Sequence, residues 1–98
     1  MRRETGIIVI DDKDNVATAL KTLSAGAEVT VEVQGRIEKI RILSDIPMGH
    51  KLALRDIEKG ESVIKYGEPI GQSTSRISCG EYVHVHNVIS HVLGQRSR

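Results

Sequence analysis

The residues best equipped for chemistry lie in the second half of the chain. His84 and His86 are separated by one residue in the run Tyr82-Val83-His84-Val85-His86. In a strand that spacing puts both imidazoles and Tyr82 on one face and turns Val83 and Val85 toward the core. Their α-carbons would then stand about 6–7 Å apart, near enough to share a divalent ion or an anion if a third ligand such as His50 arrives from elsewhere. The plainer alternative is a pair of half-exposed strand histidines bonded to neighbouring loops. His50 and Lys51 follow Gly49, where a turn would present an imidazole and an ammonium to a carboxylate. Lys65 and Tyr66 sit similarly before Gly67. For each lysine the alternative is a solvated charge at a strand edge, which also discourages pairing with another chain.

These side chains need a scaffold, and the patterning of the chain outlines one. Ile7 to Ile10 form a short β-branched run that reads as a buried strand, stopped by Asp11-Asp12-Lys13-Asp14. The spacing of Val16, Ala17, Leu20 and Leu23 predicts one short helix over about residues 14–25, capped by Asp12 or Asp14 and ended at Gly26. Asp14 and Asn15 are accounted for as cap residues. From Glu28 the period changes to two, with Val29, Val31 and Val33 before Gly35 and Ile37, Ile40 and Ile42 after it. This predicts a hairpin around Gln34-Gly35, with a bulge where the spacing slips between Ile37 and Ile40. Beneath these elements runs a repeat: Leu23-x-x-Gly26-x-x-Val29, Ile46-x-x-Gly49-x-x-Leu52, Ile57-x-x-Gly60-x-x-Val63 and Ile77-x-x-Gly80-x-x-Val83. In each unit the first apolar residue would anchor a tight turn, the glycine would take positive φ, and the last apolar residue would enter the next strand facing inward. Glu61 and Glu81, each following a turn glycine, are expected to bond turn amides.

Bulk properties narrow the function classes. At 98 residues the chain makes one domain. Without Phe or Trp, and with Tyr66 and Tyr82 as its aromatics, the core must be built from Ile, Val, Leu and Ala. So thin a core favours docking on a partner or a homo-oligomer. Fourteen basic residues against thirteen acidic, interspersed, leave no basic stripe for nucleic acid, and the scarcity of aromatics removes a stacking platform for single strands. Cys79 is the sole cysteine, so no intramolecular disulfide forms, and the thiol reads as inert. The apolar run after Arg2 and Arg3 is too short for a signal peptide and nothing approaches a membrane span. The expectation is a cytoplasmic protein.

The run Gly49-His50-Lys51-x-Ala53-Leu54-x-Asp56-Ile57-x-Lys59-Gly60-Glu61-x-Val63-Ile64-Lys65-Tyr66-Gly67-Glu68-x-Ile70-Gly71 resembles the N-terminal region of the altronate and galactarate dehydratase family. So do Gly80-Glu81-x-Val83-His84-x-His86-Asn87 and, upstream, Asp14-Asn15-Val16-Ala17-x-Ala19-Leu20. The resemblance implies a mainly β, SAF-type domain with the β-clip fold, over residues 1–93, followed by a frayed tail at 94–98. It implies a small subunit or detached N-terminal domain of a carbon–oxygen lyase acting on a sugar acid, forming one wall of the active site with a separate large chain and inactive alone. A sulfolactate sulfo-lyase small subunit is a further possibility within that reading. It also implies a divalent metal, iron(II) or manganese. On this reading His50 and Lys51 are the catalytic candidates, Lys65, Tyr66 and Asn87 the substrate-binding candidates, and His84 and His86 the metal candidates. The pattern departs at Asp11, where many relatives carry a His three positions before the Asp-Asn pair. The competing function is a stand-alone SAF-type module that binds carbohydrate or serves assembly without catalysis.

Overall fold

A computed structural model of the chain describes residues 2–4 and 6–90. The tail expected at residues 94–98 lies outside them. Ten strands follow in order: β1 (Arg2–Glu4), β2 (Ile7–Val9), β3 (Val16–Ala19), β4 (Glu28–Val33), β5 (Arg36–Arg41), β6 (Lys51–Ala53), β7 (Ser62–Lys65), β8 (Glu68–Ser73), β9 (Tyr82–Val83) and β10 (Val88–Ser90). The mainly β expectation holds, and the all-strand architecture is compatible with the β-clip fold.

The strands form three antiparallel layers. In the middle lies a five-stranded sheet ordered β1-β2-β3-β6-β9, flanked by the β4-β5 hairpin and by a three-stranded sheet ordered β10-β8-β7. One core, containing Ile7, Ala17, Leu23, Val31, Ile40, Ile46 and Leu52, includes the β4-β5 hairpin. The other, containing Val16, Ala53, Ile57, Val63, Ile77 and Val83, includes β7 and is joined by Ile70 and Val88. Because successive strand residues point to opposite faces, Val16 enters one core and Ala17 the other.

This two-sided burial explains why the helix predicted over residues 14–25 is absent. Residues 16–19 are instead β3, paired with β2 on one side and β6 on the other. A central strand covered on both faces loses its polar–apolar alternation, so the small and apolar residues of Val-Ala-Thr-Ala mimic a helical face. The cap residues are also committed elsewhere. Asp14 accepts the amides of Asp11 at 3.0 Å and Gly67 at 2.8 Å. Asn15, fully buried, donates to the Ser62 carbonyl at 2.9 Å and accepts the Ile64 amide at 2.7 Å. Together they clamp the β7-β8 hairpin to the middle sheet.

The hairpin at Gln34-Gly35 forms, with φ of 52° and 80° at its two turn residues, the signs that a type I′ turn requires. The bulge expected between Ile37 and Ile40 does not: β4 and β5 pair without interruption from Glu28↔Arg41 to Val33↔Arg36. Ile37 simply lies on the outer face, 71% exposed, while Ile40 is buried. The register shift falls instead between Val63 and Ile64.

The four glycine units are real, and they work as two reciprocal pairs. Leu23 and Ile46 form one isolated antiparallel bridge, Ile57 and Ile77 the other. All four residues are buried, as are Val29, Leu52, Val63 and Val83 at the ends of the units. Gly26, Gly49, Gly60 and Gly80 have φ between 86° and 93°. Each sits at the third position of a turn closed by an i to i+3 hydrogen bond, as in a type II turn. Each glycine amide also donates across its pair, to the carbonyl four residues before the partner's anchoring residue: Gly26 to Ile42, Gly49 to Ala19, Gly60 to Ser73 and Gly80 to Ala53, all within 2.7–2.9 Å. Asp45 and Asp56, each just before an anchor, accept the amides of Ala25 and Cys79 in the partner turn, both at 2.9 Å.

Candidate functional site

The repeat makes position 50 informative. Residues Ala27, His50, Glu61 and Glu81 follow the four turn glycines. Glu61 accepts the Glu58 amide and Glu81 the Ser78 amide, both at 2.8 Å, so these two carboxylates satisfy donors at the start of their own turns, as expected from the sequence. In the second unit the equivalent of Glu58 and Ser78 is Pro47, which has no amide hydrogen to satisfy. The residue after Gly49 is thereby released from its structural task, and an imidazole stands there.

His50 turns toward β9. Its Nδ1 lies 2.6 Å from the Tyr82 hydroxyl, and its ring centroid is 4.8 Å from that of His84 and 5.6 Å from that of Tyr82. Tyr82 and His84 stack with planes only 7° apart at 5.5 Å, and His86 tilts against the same tyrosine at 5.4 Å. One phenol ring therefore gathers three imidazoles.

The loop carrying two of them departs from the extended run expected of residues 82–86. The strand ends at Val83, and the Asn87 amide donates to the His84 carbonyl at 3.1 Å to close a turn. Val83 is buried as predicted, but Val85 is 81% exposed, because the turn swings it away from the core. Asn87 is the reason. Its side chain is buried, accepting the His84 amide and donating to the Tyr82 carbonyl, both at 2.9 Å. With one hydrogen bond from each end of its amide going to the backbone, Asn87 holds the turn that carries His84 and His86.

Positive charge surrounds the cluster. Lys51, on β6 opposite Val83, is held below the usual lysine range by partial burial and by the nearby Lys65 ammonium. His84 is pushed below the ordinary imidazole value by desolvation and by His50, Lys51 and His86. Among the described residues neither lysine has an acidic partner. Such a concentration of cationic groups suits an anionic ligand. Lys65 places its Nζ 4.9 Å from the centre of the Tyr66 ring. Tyr66, 60% exposed, occupies the left-handed region at φ 60° in the two-residue β7-β8 turn, a conformation unusual for an aromatic residue.

Among the described residues no three His, Cys, Asp or Glu side chains are arranged to hold a metal ion. Among the described residues the rings of His50 and His84 are in contact, and one nitrogen of His50 is already engaged by Tyr82. Asp11, at the departure from the family pattern, accepts the Lys13 amide at 2.9 Å and serves its own loop. Cys79 donates its thiol to the Leu54 carbonyl at 3.2 Å. Burial and the Asp56 and Glu38 charges push its pKa up, which disfavours the reactive thiolate. A separate cleft of about 470 Å³, lined by residues that include Asp12, Asp14, Glu38 and Arg55, contains none of the candidate side chains.

Tyr82 is the site member that sequence reasoning did not select. Its signal was present in the repeat, where Lys51 and Tyr82 occupy the same position two residues after a turn glycine.

Residues 5–91 match the family model described as the altronate/galactarate dehydratase SAF domain. The chain is 48% identical over 80 residues to altronate dehydratase of Escherichia coli, covering 82% of this chain but 15% of that protein. It is 40% identical over 84 residues to the (2R)-sulfolactate sulfo-lyase subunit alpha of Chromohalobacter salexigens, covering 82% of this chain and 89% of that subunit. Galactarate dehydratase (L-threo-forming) of Escherichia coli is 33% identical over 78 residues, 14% of its length. The chain thus spans about one seventh of the dehydratases it matches and most of the sulfo-lyase subunit.

Proposed function

Because the chain belongs to the altronate/galactarate dehydratase SAF domain family, we propose that it forms one wall of a lyase active site completed by a separate large chain. The single observation that carries this reading is the cluster of His50, Tyr82 and His84 beside Lys51, assembled at a position where the repeat has lifted the usual structural demand. The relatives supply the reaction class: two are named dehydratases and one is a named subunit of a sulfo-lyase. The substrates named there, altronate, galactarate and sulfolactate, are all hydroxy acids with at least one anionic group.

Elimination from such an acid needs a base for the proton next to the carboxylate, stabilisation of the enediolate that follows, and help for the departing group. The residues of this chain match the second need best. Lys51 supplies a positive charge with no carboxylate partner among the described residues, and His50 supplies a directed ring nitrogen. Lys65 and Tyr66, at the neighbouring hairpin tip, would hold the more distant part of the substrate. The base, and most of the ligands of any divalent ion such as iron(II) or manganese, would come from the large chain, with His84 and His86 able to add at most an imidazole from this side. The expected compartment is the cytoplasm. No helix among the described residues is long and apolar enough to cross a membrane.

Mixing the chain with cognate large chains and assaying water loss from altronate and galactarate, and sulfite release from sulfolactate, tests the reading. Activity in the mixture and none in either chain alone is the expected result. Full activity of a large chain without this one would overturn it.

A further inference from the structure

His50 presents two nitrogens, and what each can do depends on which one carries the proton. Among the described residues the Tyr82 hydroxyl is the one hydrogen-bond partner of the His50 ring, at 2.6 Å from Nδ1. A phenol is a strong donor and a weak acceptor, because its oxygen lone pair is delocalised into the ring, whereas the in-plane lone pair of a neutral imidazole is a strong acceptor. The pair is therefore best satisfied when the hydroxyl proton points at Nδ1. The proton on His50 is then at Nε2.

We propose that Tyr82 is a positioning residue that holds His50 in its Nε2–H tautomer and aims that N–H away from the protein, as a neutral hydrogen-bond donor to an oxyanion. The inference rests on the reading of His50 and Lys51 as the groups that meet the substrate carboxylate, and it deepens that reading by giving His50 a role distinct from a base. A neutral imidazole donor stabilises a developing enediolate oxygen without gaining or losing a proton. Tyr82 is well placed to act as the fixed point. Its amide is bonded to the Ser44 hydroxyl at 3.2 Å, its carbonyl accepts from Asn87, and its ring packs against the first core while stacking on His84.

Tyr82→Phe keeps the ring, its stacking and its packing and removes only the hydroxyl. Long-range proton–nitrogen NMR spectra of the chain, with imidazole nitrogens labelled and at a pH where histidine is neutral, read the tautomer directly. The wild type is expected to show His50 with Nδ1 unprotonated and Nε2 protonated, and the Phe variant an averaged mixture of both tautomers. In the reconstituted enzyme the same substitution is expected to lower kcat roughly 10- to 100-fold, the usual cost of removing a partner that orients a functional histidine, with KM and thermal stability little changed. A wild-type His50 protonated at Nδ1, or a tautomer indifferent to the loss of the hydroxyl, would overturn the proposal. The NMR result is independent of catalysis, so failure of the reconstitution would remove the lyase reading while leaving the tautomer question answered.

Discussion

Replacing Asn87 by Ala should uncouple the histidine loop from the rest of the domain at a cost that can be worked from its contacts. The side chain is 2% exposed and makes two hydrogen bonds to backbone groups, accepting from the His84 amide and donating to the Tyr82 carbonyl, both at 2.9 Å. Truncation leaves a donor and an acceptor without partners. A fully buried unsatisfied group costs about 1–3 kcal/mol. Residues 84–86 are partly or well exposed, so water can reach the His84 amide and the lower half of that range applies to it. The expected loss is about 2–5 kcal/mol, a large share of the roughly 5–15 kcal/mol that holds a domain together. Urea unfolding gives the loss, and hydrogen exchange at the His84 amide shows whether the loop opens locally. Asn87→Asp sharpens the test, because a carboxylate still accepts from His84 but opposes the Tyr82 carbonyl. Protonating that carboxyl restores a donor, so its pKa is raised by folding and the variant should recover stability as the pH falls through that raised value. A loss below about 0.5 kcal/mol in Asn87→Ala, with His84 exchange unchanged, would refute this account of how the loop is held.

Three further outcomes follow from the same contacts. Gly80→Ala should cost about 3 kcal/mol or more, from a strained positive φ and a Cβ driven against the Arg41 carbonyl oxygen, whereas Gly26→Ala, whose Cβ meets nothing within 4 Å, should show only the conformational part in thermal melts. His84 binds its proton less readily in the folded chain than in the unfolded one, where its pKa is near 6.5. Its contribution to stability is therefore complete above that value and is lost as the pH falls from 6.5 to the lower folded value, and NMR titration of Lys51→Met should show the His84 midpoint moving back up. Tyr66→Asn should stabilise the fold by about 0.5–1 kcal/mol, since Asn tolerates the left-handed conformation at φ 60°, while weakening substrate binding in the assembled enzyme.

Much of the fold could be read from the residues, and the exceptions have local causes. The glycine repeat was legible because its apolar residues flank every turn at one fixed distance. Its pairing was not, because the bridges Leu23↔Ile46 and Ile57↔Ile77 join residues about twenty positions apart and no periodicity encodes which turn meets which. Residues 16–19 misled because a strand buried on both faces, with two alanines, carries no alternation. At the site, His50 and Lys51 were legible from their place after a turn glycine, and His84 and His86 from their residue type. Their mutual arrangement was hidden by Asn87, whose amide closes a turn in a segment that Val and His would otherwise extend. Tyr82 escaped because its importance lies in one hydroxyl contact with a residue thirty-two positions away.

The central claim is that His50 and its neighbours act on a substrate held between this chain and a larger one. The most direct measurement is the turnover of the reconstituted pair with His50→Leu, which removes both ring nitrogens, compared with wild type at saturating substrate, alongside the affinity of the two chains for each other. A loss of at least about 100-fold in kcat, of the size seen when an oxyanion donor is removed, with the assembly intact, is the predicted result. Turnover within a few-fold of wild type in a fully assembled complex would contradict it.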